Sequence, residues 1–291
     1  MTAHSLSNSL ARFPQIRRLA WRAGRTIYAA ARGDNSSDDI ATNGEGYVQS
    51  CVLRAIPEDT ALRMIDIGGN QGDWSCEVLR QLSPRRRAEA SIRIDTFEPA
   101  PGPLARLKAA LAKTGLETLC HVHQMAVSDV EGTVTIGIMS EHGGTNSIHF
   151  EHDTSAKVMD RVTVEAMPLS TFCSSNAIAH LHLVKCDTEG HDFAVLKGAA
   201  DLFRQQQIDV MQFEYGHRWI FARTYLRDVF ALLEGLPYRV ARVQTDSIEV
   251  FEAWHPEMER FFQSNYLVVS NKAIGWFNGR AGRFDGANTY A

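Results

Sequence analysis

Met64-Ile65-Asp66-Ile67-Gly68-Gly69-Asn70-Gln71-Gly72-Asp73-Trp74-Ser75 joins the signal of a buried strand to a glycine turn and the start of a helix. Met64, Ile65 and Ile67 are apolar enough for a strand covered on both faces. Gly68, Gly69 and Gly72 allow a tight turn and close approach of a ligand to backbone. Asp66 is the exception in this run. A carboxylate near the carboxyl end of a central parallel strand lies where open α/β sheets bind ligands, and it needs a hydrogen-bonding or cationic partner.

The spacing separates two cofactor classes. A dinucleotide-binding turn wants G-x-G-x-x-G, and the order here, D-x-G-G-N-Q-G, does not supply it. An NAD-dependent oxidoreductase on the same kind of sheet is therefore the weaker alternative. The pattern resembles the first motif of class I S-adenosylmethionine (AdoMet) methyltransferases, D/E-x-G-x-x-x-G, where the acidic strand residue serves the amino acid end of the cofactor. A second carboxylate strengthens the resemblance: the strand Ser91 to Phe97 ends in Glu98-Pro99. Glu98 can accept bonds from both hydroxyls of a ribose.

Outward from this turn, strands and helices alternate, which predicts a doubly covered parallel sheet. The spacing predicts strands over Ala61 to Ile67, Ile92 to Phe97, Thr118 to His123, Leu181 to Cys186 and Ile208 to Phe213, with helices over Trp74 to Leu82 and Leu104 to Lys113. Thr133 to Ile138 alternates like an edge strand, Val162 to Ala166 is another short one, and Tyr238 to Val243 and Tyr266 to Ser270 suggest an antiparallel pair. The expected fold is α/β: a Rossmann-like class I methyltransferase sheet of about seven mostly parallel strands with helices on both faces. Residues 1–56 read as a helical extension or lid, and residues 57–291 as the catalytic domain.

At 291 residues with a formal net charge of −4, the chain has an ordinary globular composition and no general nucleic-acid footprint. A small-molecule partner is the expectation, with a homodimer left open. The five cysteines form no C-x-x-C pair and no zinc spacing, so they read as reduced and buried. No apolar run is long enough to span a bilayer, and a cytoplasmic protein without stable membrane insertion is expected. Ser9 to Arg32 is peculiar: Arg12, Arg17, Arg18, Arg22, Arg25 and Arg32 precede the first acid, Asp34, and Phe13, Ile16, Leu19, Ala20, Ala23 and Ile27 fall near helical spacing. Such a basic amphipathic helix suits a membrane surface or organelle targeting, or a helix packed over the domain or against a second subunit.

Two further segments narrow the resemblance. Val184-Lys185-Cys186-Asp187-Thr188-Glu189-Gly190-His191-Asp192-Phe193-Ala194-Val195-Leu196-Lys197-Gly198-Ala199 is similar to I-K-I-D-x-E-G-x-E-x-x-V-L-x-G-A of the FkbM family of AdoMet-dependent methyltransferases. Asp66 to Ser75 is similar to that family's D-x-G-A-N-x-G-x-[YW]-[ST], Phe97-Glu98-Pro99 to its F-E-P, and Phe213-Glu214 to its closing strand. Gly69 for Ala and Asp192 for Glu are departures. The likeness runs from about Met64 to Tyr215, so the acceptor gains least from it. It implies O-methylation of a small molecule, often a sugar or natural-product intermediate. An N-methyltransferase, or a non-catalytic AdoMet-binding partner in a biosynthetic assembly, are the alternatives.

The resemblance implies a cofactor site of Asp66, Gly68, Gly69, Asn70, Gly72, Trp74, Glu98, Pro99, Met125, Ala126, Val127, Asn146, Ser147 and Asp187. Gly68 to Asn70 would take the amino acid end, Glu98 the ribose, and Met125 to Val127 would flank the adenine. A neutral sugar hydroxyl must lose its proton as the new bond forms, which asks for a base or a metal. Asp187, Glu189, His191 and Glu214 are the catalytic candidates. Mg2+ held by Asp187 and Glu214, as in catechol-type methyltransferases, is one option and a protein base the other. Glu214, His217, Arg218 and Trp219 are candidates for the acceptor wall.

Overall fold

The computed structural model describes residues 13–33, 37, 39–89, 91–140, 144–152 and 157–284. Helices α1 (Pro14–Arg32) and α2 (Glu45–Ala55) precede strand β1 (Leu62–Ile67). There follow α3 (Asp73–Gln81), α4 (Pro84–Glu89), β2 (Ile92–Phe97), α5 (Pro101–Thr114) and β3 (Cys120–His123), then a small sheet of β4 (Ala126–Ser128), β5 (Gly132–Ile138) and β6 (Asp160–Pro168). The second half runs α6 (Leu169–Ser175), β7 (Leu181–Cys186), α7 (Asp192–Gly198), α8 (Ala200–Arg204), β8 (Ile208–Tyr215), α9 (Trp219–Ala222) and α10 (Leu226–Leu232). It closes with β9 (Tyr238–Val243), β10 (Ile248–Phe251), β11 (Ser264–Ser270) and β12 (Gly279–Ala281).

Alternation along β1 divides its side chains between two cores. Leu62 and Met64 pack with Val48, Trp74, Leu79 and Leu107 on the side of α2, α3 and α5. Ile65 and Ile67 pack with Leu169, Val195, Phe203 and Leu226 on the side of α6, α7, α8 and α10. Both faces of the sheet are thus covered, as its apolar strands require.

The expected sheet of about seven mostly parallel strands is in fact a nine-stranded mixed sheet, in the order β12-β10-β9-β11-β8-β7-β1-β2-β3. Strands β3, β2, β1, β7 and β8 are parallel to one another, whereas β8, β11, β9 and β10 pair antiparallel. The reason lies in the connections. A short turn after Val243 reverses the chain from β9 into β10, which makes that pair antiparallel; β11 then lies on the other side of β9, and β12 adds to β10 in parallel. Strands β10 and β12, with 4 and 3 residues, are too short to leave an alternation signal. The excursion read at Thr133 to Ile138 and Val162 to Ala166 forms an antiparallel pair, β5 with β6, in its own sheet.

Helix α2 belongs to the core through Val48, Cys51 and Val52. Helix α1 does not: most of its side chains lie in solvent, and it is fixed at its carboxyl end, where Tyr28 and Arg32 donate to Glu257. All five cysteines are free, four of them buried.

Candidate active site

The turn after β1 is locked to the two strands beside it. Gly68 has φ +82, and a Cβ there would overlap the carbonyl oxygen of Asp187 in the loop after β7. The Gly68 and Gly69 amides both donate to the Phe97 carbonyl at the end of β2, each at 2.9 Å. A Cβ on Gly69 would run into the Thr96 methyl, which accounts for glycine where the family usually has alanine. Asn70, at φ +45, donates its amide to Glu98 Oε2 at 2.8 Å, and Ala100 donates to Glu98 Oε1 at 2.8 Å. Each oxygen of Glu98 keeps acceptor capacity for a ligand. Burial pushes this carboxyl up to about 7, against the pull of those two amides.

Two clefts meet over the turn. One, of about 740 Å³, is walled by Phe97, Pro99, Met125, Ala126, Val127 and Ile136 with Glu98, Asn146 and His191 at its polar edge. The other, of about 1060 Å³, is lined by Asn43, Glu45, Trp74, Lys185, Glu214, Gln263 and Asn265. Both include Gly68, Asn70, Gly144, Asp187 and Glu189. Asn70 Oδ1, Asn146 Nδ2 and Trp74 Nε1 are buried in these walls with no hydrogen-bond partner among the protein atoms. Buried polar groups are paired with few exceptions, so three orphans in one groove mark where a polar ligand belongs.

Beneath the second cleft a polar row crosses the sheet. Thr96, Asp66, Lys185 and Gln212 stand in register on β2, β1, β7 and β8. Asp66 shares its face of β1 with Leu62 and Met64, so its carboxylate points toward α3 and accepts from Ser75 Oγ at 2.7 Å. It is fully buried and lines neither cleft. Burial raises its pKa, partly offset by Lys185 and Ser75. Lys185 Nζ donates to Asp187 Oδ2 at 3.2 Å. Burial would push this ammonium down, but Asp187, Glu45 and Asp66 together hold its pKa above the ordinary value. Glu45, at the start of α2, accepts from Gln212 at 2.7 Å and from Asn43 at 3.1 Å.

The remaining candidates divide. Glu189, at φ +54, ion-pairs with Arg218 at 2.6 Å and lines both clefts. Burial and then the neighbouring Asp187 push it up to about 8. Glu214 accepts from Gln263 at 2.7 Å, and burial with Asp187 and Glu189 nearby puts its carboxyl well above the usual range. His191 lies between Ser128 Oγ at 2.9 Å and His149 at 3.3 Å. Burial, with His149 adding to it, lowers His191 to about 4. Ser147 donates to the Glu189 carbonyl at 2.8 Å and so ties its own segment to the turn after β7. Gly72 caps α3 outside both clefts.

A family model described as Methyltransferase FkbM domain matches residues 66–240, more than half of the sequence. The chain belongs to the FkbM methyltransferase family. Among solved structures it is similar to Methyltransferase FkbM from Methylobacillus flagellatus KT, at 16% identity and a TM-score of 0.43 over 71% of this chain and 43% of that one. This chain therefore spans less than half the length of that relative. A cofactor-bound protein from MTB is similar at 14% identity and TM-score 0.45, over 87% of this chain and 89% of that one. The N-terminal domain of human METTL16 in complex with SAH is similar at 11% identity and TM-score 0.42, over 77% and 66%. No curated protein matches the sequence.

In this member of the FkbM family, three of the four residues expected at the acceptor wall, His217, Arg218 and Trp219, line neither cleft. Trp219 is 1% exposed, packs on Tyr215 and Phe213, and donates Nε1 to the Glu214 carbonyl at 2.8 Å. It is a core residue. His217 is exposed beside Phe221, and Arg218 ion-pairs with Glu189. Glu214 does line the polar cleft, beside Asn43, Glu45, Gln263 and Asn265 from segments outside the motifs, and none of α1 lines either cleft.

Magnesium does not fit Asp187 and Glu214. The Lys185 ammonium already stands against Asp187, and Glu214 binds a neutral amide with its acid form favoured. Among the described residues the one three-donor cluster is His180, His182 and Asp209, at the opposite ends of β7 and β8. There His182 Nδ1 accepts the Arg63 amide at 3.1 Å. Its other nitrogen must then carry the proton, which leaves no lone pair for a metal.

Proposed function

We propose that this chain transfers a methyl group from AdoMet to a hydroxyl of a small acceptor, of the sugar or natural-product kind. One observation carries the reading: an apolar cleft and a polar cleft share a floor at Gly68, Asn70 and Asp187, with Glu98 offering two pre-aligned carboxylate oxygens in the apolar one. Pro99 and Met125 to Val127 would hold an adenine, Glu98 the ribose hydroxyls, and the Gly68 to Asn70 turn the amino acid end. The three unpartnered polar atoms in the walls support this fit. Bound there, AdoMet supplies an electrophilic methyl on a positively charged sulfur.

The chain's own task is to align the acceptor oxygen and accept its proton. Glu189 is pushed up to about 8 and burial puts Glu214 well above the usual carboxylate range, so both suit donating a hydrogen bond to the acceptor better than taking a proton. Asp187 lines both clefts in an ion pair with Lys185, and it is the carboxylate suited to accept the proton. His191, held between Ser128 and His149, belongs to the wall of the apolar cleft.

Mass spectrometry of metabolite extracts incubated with enzyme and AdoMet tests this. We expect an acceptor to gain one methyl group on oxygen, and Asp187→Asn to lose turnover by about 100-fold or more while still binding S-adenosylhomocysteine. A methyl found on nitrogen, or full turnover in Asp187→Asn, contradicts the assignment.

A further inference from the structure

We propose that helix α1 docks on a lipid bilayer bearing anionic headgroups, lying in its surface. The helix carries Ile16, Leu19, Ala20, Ala23 and Ile27 along one side, and Arg18, Arg22 and Arg25 along the other. Its attachment to the body fixes which side faces out. Tyr28 packs edge-on against Phe262, the Arg25 guanidinium stands 5.4 Å from the same ring, and Arg32 donates to the Glu257 carbonyl. These groups cluster on the arginine flank, so the aliphatic stripe points away from the domain. Ile16, Leu19 and Ile27 are 51%, 66% and 68% exposed. Among the described residues nothing packs on the stripe.

A water-exposed aliphatic stripe of this length on a folded domain marks an interaction face. Charge decides the partner. The chain has no acidic residue before Asp34, while Arg17, Arg18, Arg22 and Arg25 all lie exposed on α1. Two such helices side by side would bring arginine to arginine with no carboxylate of their own to separate them. An anionic bilayer instead offers phosphate and carboxylate groups to the arginines and an apolar interior to the stripe. Low overall hydrophobicity and an arginine-rich face opposite an aliphatic stripe suit a helix that lies on a membrane. Nothing in α1 is long and apolar enough to cross one. Its carboxyl end leads into Ser37, Ile40 and Asn43 of the polar cleft, so docking would hold that cleft close to the bilayer.

Flotation of the full chain with phosphatidylcholine vesicles, with and without phosphatidylserine, tests the proposal. The expected result is binding to the phosphatidylserine vesicles that weakens as salt is raised. Each arginine removed near the surface should cost roughly fivefold in affinity, so Arg18→Gln with Arg22→Gln together should lower it about 25-fold. Leu19→Glu should abolish binding, and all these exposed-site variants should keep S-adenosylhomocysteine binding as evidence of intact folding. No binding to phosphatidylserine vesicles overturns the proposal, as does wild-type binding by Leu19→Glu. If light scattering shows a dimer that Leu19→Glu dissociates, with no vesicle binding, the stripe is a self-association face and the proposal is wrong.

Discussion

Glu98 should make cofactor affinity depend on pH near neutrality. Its carboxyl is raised from 4.5 to about 7 by burial, while Asn70 and Ala100 aim their amides at its two oxygens. A ribose donates two hydroxyls, so it prefers the ionised form, which accepts more strongly. A group titrating near 7 is about one-tenth ionised at about pH 6 and about nine-tenths at about pH 8, so the dissociation constant of S-adenosylhomocysteine should fall about tenfold across that range. Calorimetry near pH 7 should also register release of about half a proton on binding. The protein without ligand has the opposite trend. Because the folded value lies above the unfolded one, this group's contribution to stability is complete below about pH 4.5 and is lost as pH rises through about 7, a loss of roughly 3 kcal/mol. Glu98→Gln should bind the product more weakly by about 1.5–3 kcal/mol, since one backbone amide would then face the side-chain NH2. The variant should also lose the Glu98 share of the slope, while any share from Glu189 remains. Equal pH slopes in wild type and Glu98→Gln would refute the reasoning.

Three other perturbations have defined outcomes. Gly68→Ala forces a side chain into the Asp187 carbonyl from a left-handed backbone, a conformation that costs about 1–2 kcal/mol before any overlap; a drop in melting temperature and loss of product binding are expected. Lys185→Met removes the ammonium that faces Asp187, Glu45 and Asp66, and chemical denaturation should show a loss of about 3–5 kcal/mol at neutral pH, smaller in acid as the carboxylates take up protons. Since Lys185 supplies the cation beside Asp187, treatment with EDTA should leave methyl transfer unchanged; restoration of lost turnover by added Mg2+ would count against this.

Local signals made half of the site legible. The glycine turn, Glu98-Pro99 and the Asp187 segment each declare themselves within a dozen residues, and all three line the joined clefts. The role of Asp66 could have been read further, because its parity with Leu62 and Met64 points it at α3, whose first turn carries Ser75. The polar row could not be read. Lys185 and Gln212 acquire meaning only once β7 and β8 are set in register beside β1, and pairing over such separations leaves no trace in a single sequence. Asn43, Glu45, Gln263 and Asn265 reach the cleft from segments outside the motifs. Trp219 misled for a simpler reason: a tryptophan next to a polar strand end looks available to a ligand, but its indole N–H finds the Glu214 carbonyl and its rings fill the core. Thr133 to Ile138 was readable because an exposed two-residue period survives in a hairpin, whereas β12 is too short to have one.

A crystal structure with S-adenosylhomocysteine tests the central claim most directly. The account predicts the ribose hydroxyls on Glu98, the adenine between Pro99 and Met125 to Val127, and the amino acid end over Gly68 to Asn70. A ligand bound elsewhere, or one whose ribose does not touch Glu98, would contradict it.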